Sequence, residues 1–218
     1  MMNAKEMPQA IKQPFDRLRD EVTALQIDWN IYSQLQLHSK ERIELLGSMV
    51  GGFFVCVAFA LRNDITMSIG RLLDPKETRS HSNLCFELLM EEIKTFDHEF
   101  YESLHGQYQE IIKKCGGLKE WRNKVVGHRD FRIALSQAGC SLPTVDPKEI
   151  EEILELIRSF MNTIEAYYQD SETLYEYISS TGDADDLVFY LQEAAEHQKC
   201  KENALRKKHG FLEKMEDL

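Results

Sequence analysis

From Ile150 to Ile178 the chain keeps to a spacing of four and three, through Ile150, Leu154, Ile157, Met161, Ile164, Tyr168, Ser171, Tyr175 and Ile178. Residues three and four apart share one face of an α-helix, whereas a strand alternates by two. A seam this long therefore commits the segment to a helix packed against other helices. Its start is marked by Asp146 as N-cap, Pro147 in the first turn and Glu149 placed to close a capping box. The chain shows no strand-period alternation and no internal repeat, so the fold expected is all-α with no β-sheet.

The other elements follow from the same rule. Phe15, Leu18, Val22, Leu25, Trp29 and Tyr32 form an amphipathic seam. A second long helix runs from about Lys40 to Leu73 and stops at Asp74-Pro75, because a residue before proline is driven out of the α region. Shorter helices are predicted near Asn83–Thr95 and Asp97–Cys115, with Gly116-Gly117 as a break before a helix near Leu118–Leu135. Gly139 to Pro143 reads as a loop, and Thr181-Gly182-Asp183 punctuates the chain ahead of a charged last helix from Ala184 towards Met215, with Asp183 as its N-cap. Two domains are expected, a helical bundle over residues 1–180 and a charged helical extension over 181–218.

Between Leu45 and Leu61 lie 17 residues without a charge. That run is diluted by Gly47, Ser48, Gly51 and Gly52 and falls short of the roughly 20 apolar residues a membrane span needs, so it is expected to be a buried central helix, with no membrane involved. The N-terminal stretch to Pro8 lacks the apolar core of a secretory signal. The five cysteines are dispersed, odd in number and never paired as Cys-x-x-Cys. Free thiols and a cytoplasmic location are the expectation.

A formal net charge of −11 excludes a general nucleic-acid coat protein, because non-specific binding depends on neutralising phosphates. The charge is unevenly placed, however. From Lys113 to Arg132 seven basic residues stand against Glu120 and Asp130, a balance of +5 that leaves the rest of the chain at −16. Either this window engages RNA at a single site or it is a charged solvent face of an ordinary helix.

Inside the window lies Trp121-Arg122-Asn123-Lys124-Val125-Val126-Gly127-His128-Arg129-Asp130. Arginine is charged at every accessible pH and clamps phosphate bidentately, while histidine titrates near neutrality and can move a proton to or from a ribose hydroxyl. On a straight helix Arg122 and His128 would lie about 120° apart around the axis and about 9 Å along it. One copy therefore does not converge on one phosphate, whereas two copies across a two-fold axis could. Elsewhere, His98, Glu102 and His105 share a helical face, but a di-iron bundle needs a second Glu-x-x-His and none is present. No metal and no cofactor is expected.

This segment resembles the signature of the HEPN superfamily, an arginine and a polar residue followed, after four to six intervening positions, by a histidine. Together with Leu61-Arg62-Asn63-Asp64-Ile65 and Ile69-Gly70-Arg71-Leu72-Leu73-Asp74-Pro75 it is similar to the AbiU-type abortive-infection branch, over roughly residues 15 to 180. The resemblance implies an all-α HEPN-like bundle with two long antiparallel helices, and a metal-independent endoribonuclease acting as a toxin or in antiviral defence. It also implies a homodimer that builds a composite site at its interface, with an antitoxin or regulatory protein as a further partner. In that reading Arg122, His128 and Asn123 are catalytic, and Lys124, Arg129 and Asp64 bind the RNA. Asp64 can equally form an internal ion pair with Arg62. The alternative reading is a non-catalytic HEPN module that binds RNA, nucleotide or a partner protein. Asp130 stands where HEPN toxins regulated by nucleotidyltransferases carry tyrosine, so the resemblance does not extend to control by tyrosine modification.

Overall fold

The computed structural model describes residues 6–122, 146–178 and 182–216. Among these are seven α-helices: α1 (Gln9–Gln36), α2 (Lys40–Leu72), α3 (Phe86–Phe96), α4 (His98–Lys114), α5 (Gly116–Trp121), α6 (Pro147–Gln169) and α7 (Ala184–Glu216). The all-α expectation holds, with one exception. Glu77–Thr78 (β1) and His81–Ser82 (β2) pair antiparallel across Arg79-Ser80, with Arg79 at φ 59°. Two residues a side are too few to carry a periodicity. The hairpin is fixed locally, by Asn83 Nδ2 donating to the Pro75 carbonyl at 2.6 Å and to Thr78 Oγ1 at 2.8 Å.

The chain forms two compact units, Met1–Trp29 with Arg62–Ile178, and Asn30–Leu61 with Ser179–Leu218. The first is organised on α6. Ile150, Ile153, Leu154, Ile157, Phe160, Met161 and Ile164 are all buried, and Phe160 meets Phe86 of α3 at 5.0 Å between ring centroids. Phe100 of α4 stacks on Tyr167 at 3.7 Å. Two charged groups, Arg158 and Glu165, are buried with them. Arg158 donates to Gln26 of α1 at 2.8 Å and pairs with Glu151 at 3.0 Å, and Glu151 also accepts from the Trp29 indole.

In the second unit Leu35, Leu46, Phe54, Ala184 and Val188 form a separate small core. Gln34 holds the start of α7, donating to Asp183 at 2.9 Å and accepting from the Ala184 amide at 3.2 Å. Asp183 accepts from the Asp185 and Asp186 amides at 3.0 and 3.2 Å, the N-cap expected of it.

Three sequence expectations need correction. The seam helix stops at Gln169 rather than running to Ile178. Asp170 adopts the left-handed conformation at φ 50°, and the chain folds back on α6, where Thr173 exchanges two 3.1 Å hydrogen bonds with the side chain of Asn162. Thr173 Oγ1 also donates to buried Glu165 at 2.7 Å. Tyr175 is still buried, so the period survived while the helix did not. Gly116 and Gly117 lie inside α5, and the break falls at Cys115. Finally, the uncharged part of α2 is not a buried helix. Leu46 and Phe54 are covered, but Phe53, Val55 and Phe59 are 60%, 69% and 62% exposed, and the helix is interrupted at Val50 (φ −148°, ψ 52°).

If Asn162 closes the fold-back by substituting for backbone partners, Asn162→Ala should lower unfolding free energy by about 1–3 kcal/mol, as expected when two backbone groups lose their partners. Hydrogen exchange should then speed up at Thr173. Unchanged exchange there would contradict this account.

Candidate functional site

Arg122 is the one catalytic candidate within the described residues. Asn123, Lys124, His128 and Arg129 lie outside them. Arg122 follows the last turn of α5 at φ −51°, ψ −51°, and its side chain runs back over α2. There its Nη1 bonds Asp74 Oδ1 at 2.8 Å, with the guanidine side chain 14% exposed. A Cβ placed on Gly70 would stand 2.4 Å from Arg122 Cδ and 2.5 Å from Nη1, so the arginine side chain occupies the space a larger residue would take and would have to shift for one. One residue earlier, the Trp121 ring receives the Arg62 guanidinium at 5.2 Å from its centroid.

These contacts join the two sequence stretches. Arg62, Gly70 and Asp74 all meet Trp121-Arg122, so the upstream residues form the seat of the arginine. In the sequence Asp74 reads as a helix stop, and both Asp74 and Gly70 as part of a stretch similar to the AbiU-type branch, but neither shows a contact with Arg122.

Asp64 makes a different connection, since its carboxylate acts on that of Asp28 of α1. Burial first, then the neighbouring Asp64 carboxylate, hold the Asp28 carboxyl above its ordinary value of 3.8. Asp28 carried no sequence signal. Of the basic window, Lys114 bonds Glu152 of α6, which raises its pKa, while Lys113 and Lys119 are exposed. Lys114 thus spends its charge on joining α4 to α6. Cys115 beside it is pushed up to about 12, chiefly by burial, and is a core thiol rather than a nucleophile.

Two outcomes follow. Alanine is a better helix former than glycine by about 1 kcal/mol, so Gly70→Ala would stabilise α2 if Arg122 did not lie against it. With the arginine seated there, Gly70→Ala should lower the thermal midpoint, and less so in an Asp74→Ala background, where the seat is already lost. For Asp28 the folded pKa is raised, so its contribution to stability is present below 3.8 and lost as pH rises through the folded value. Asp28→Asn should accordingly raise the midpoint near neutral pH, and the gain should vanish below the ordinary carboxyl value. A gain independent of pH would count against the carboxylate pair.

A family model described as AbiU2, of the HEPN proteins, matches residues 8–197. No curated protein and no solved structure matches the chain. The match takes in α1 to α6, the seat of Arg122 and the whole Arg122–His128 segment, and continues into α7. On that extent, together with an all-α architecture among the described residues, the chain belongs to the AbiU2 family of HEPN proteins.

Proposed function

We propose that this HEPN protein is a metal-independent endoribonuclease that acts in abortive infection, as a toxin or phage-defence effector in the cytoplasm. The observation that carries the reading is the seating of Arg122 by Asp74 and Gly70 at the head of the Arg-to-His segment. A guanidinium held in one orientation is pre-organised to meet charge that develops on a phosphate. In the proposed reaction His128 takes the proton of a ribose 2′-hydroxyl, and the oxygen attacks the adjacent phosphorus. The bond to the 5′-oxygen breaks, the leaving oxygen is protonated, and a 2′,3′-cyclic phosphate remains. Arg122 stabilises the phosphorane, Asn123 orients it, and Lys124, Arg129 and Asp64 contact the RNA. Nothing in this chemistry asks for a metal. A homodimer supplies two Arg122/His128 sets to one composite site, and an antitoxin or regulatory protein restrains it.

A second reading has one observation in its favour. The bond that seats Arg122 also commits its Nη1 to Asp74, which suits a structural arginine in a module that binds RNA, nucleotide or a partner protein without cleaving. Cleavage assays in chelator separate the two. His128→Ala should reduce cleavage by about 10²–10⁴, the usual contribution of a general acid or base, with the thermal midpoint unchanged. Arg122→Ala also removes the ion pair with Asp74 and will lower stability, so Arg122→Lys is the cleaner probe. It keeps the charge but loses the fork, and should retain the fold while cleavage falls. A wild-type protein that leaves diverse RNAs intact in every buffer would favour the binding module.

A further inference from the structure

Between Asp74, which holds Arg122, and α3 the chain makes the small hairpin of β1 and β2, and one turn residue is there against its own preference. Thr78 pairs with His81, so Arg79 and Ser80 are the two central residues. Arg79 takes φ 59°. Where a two-residue hairpin needs positive φ it favours glycine or asparagine, and a long side chain there is strained. Such strain persists only where the surroundings impose it, and it gathers at functional positions. Here they do impose it. Asn83 clasps Pro75 and Thr78 through its side chain, its backbone amide donates to the Lys76 carbonyl at 2.7 Å, and the Lys76 amide donates to Glu87 of α3 at 2.7 Å.

Charge sets Arg79 apart as well. Within the first unit Arg17, Arg19, Arg71, Arg122 and Arg158 are ion-paired, and Arg62 lies on the Trp121 ring. Arg79 is exposed and meets no carboxylate within ion-pair distance among the described residues. In a chain of net charge −11, a cation left over in this way is open to an anion from outside.

We infer that Arg79 binds a phosphate of the RNA strand near the one at which Arg122 acts, as a substrate-binding residue with no part in the bond chemistry. This rests on the ribonuclease reading and deepens it. Asp74 bonds Arg122 directly, and Arg79 follows Asp74 by five residues. Five residues span at most about 18 Å, or about five nucleotide rises of a stacked strand, so one strand passing Arg122 can reach the turn. The base of the hairpin is tied to the residue after Asp74 and to α3, so the turn is positioned before any RNA arrives. A guanidinium also offers the paired donors that phosphate accepts. An acidic protein segment would offer carboxylates to the same group, but the short path through Asp74 and Pro75 ties the turn to the phosphate-binding arginine rather than to a separate surface.

The test uses the full chain with His128→Ala, so that the proposed base is absent, and titrates a single-stranded RNA in chelator. Arg79→Gly should weaken binding about 5-fold at about 0.1 M salt and hardly at all near 1 M, making the salt slope shallower by about 0.7, the share of one single-strand phosphate. Its thermal midpoint should hold or rise, because glycine relieves the turn. Arg79→Lys should restore the slope. Arg17→Gln removes the same charge beside Asp20 and should leave the slope as it was. In the cleaving chain the loss in Arg79→Gly should appear in KM. With wild-type cleavage intact, an unchanged slope, or an equal loss in Arg17→Gln, overturns this inference alone. A fallen midpoint that accounts for the lost binding makes the arginine part of the fold and overturns it too. So does an Arg79→Gly chain that keeps RNA but loses poly-glutamate, which would assign the turn to an acidic protein. A wild type that neither binds nor cleaves RNA removes both readings.

Discussion

Helix α6 buries ten of its residues, two of them charged, and this burial dictates what the neighbouring elements must supply. Apolar cover comes from α3 and α4, through Phe86 and Phe100. Polar partners must be provided as well, because a buried charge without them costs more than most single contacts return. Gln26 of α1 answers Arg158, and the fold-back after Asp170 brings Thr173 to Glu165. The sharp end of α6 is thus tied to its buried acid. A helix continuing to Ile178 would carry Thr173 away from Glu165.

This explains which parts of the fold were legible in the sequence. Helix existence was, because the 3.6-residue period is written into α1, α4 and α6, and both aspartate caps were, because capping is local. The end of α6 was not. Ser171, Tyr175 and Ile178 keep the period, and only the bonds that Glu165 and Asn162 make to Thr173, eight and eleven residues on, decide that the chain turns. The face of α2 misled for the opposite reason. Hydropathy measures what a residue would gain by burial, not whether anything in the chain covers it, and Phe53, Val55 and Phe59 have no cover within their unit.

The candidate site was legible in parts that the sequence left unconnected. Arg122 stood out by chemistry and the stretches around Arg62 and Gly70 by family likeness, but nothing in their order says that they touch. Asp28 was invisible, being one of three aspartates on the amphipathic α1. Its significance lies in the carboxylate of α2 that it faces.

The spacing on α2 gives those connections a physical reason. Arg62 and Gly70 are eight positions apart, and Asp74 follows Gly70 by four, through a turn that still makes helical hydrogen bonds from Leu73 to Gly70 and from Asp74 to Arg71. At about 100° per residue these positions fall within a third of a turn of one another around the axis. One stripe of α2 therefore offers a cation to the Trp121 ring, a gap for the Arg122 stem and an anion for its guanidinium, in that order along the helix. Each element of the stripe would be weak alone, since an exposed ion pair or a single cation–π contact contributes about 1 kcal/mol or less. Together they restrict a side chain whose many rotamers would otherwise oppose any fixed geometry. An arginine held this way keeps one orientation with no ligand needed to order it.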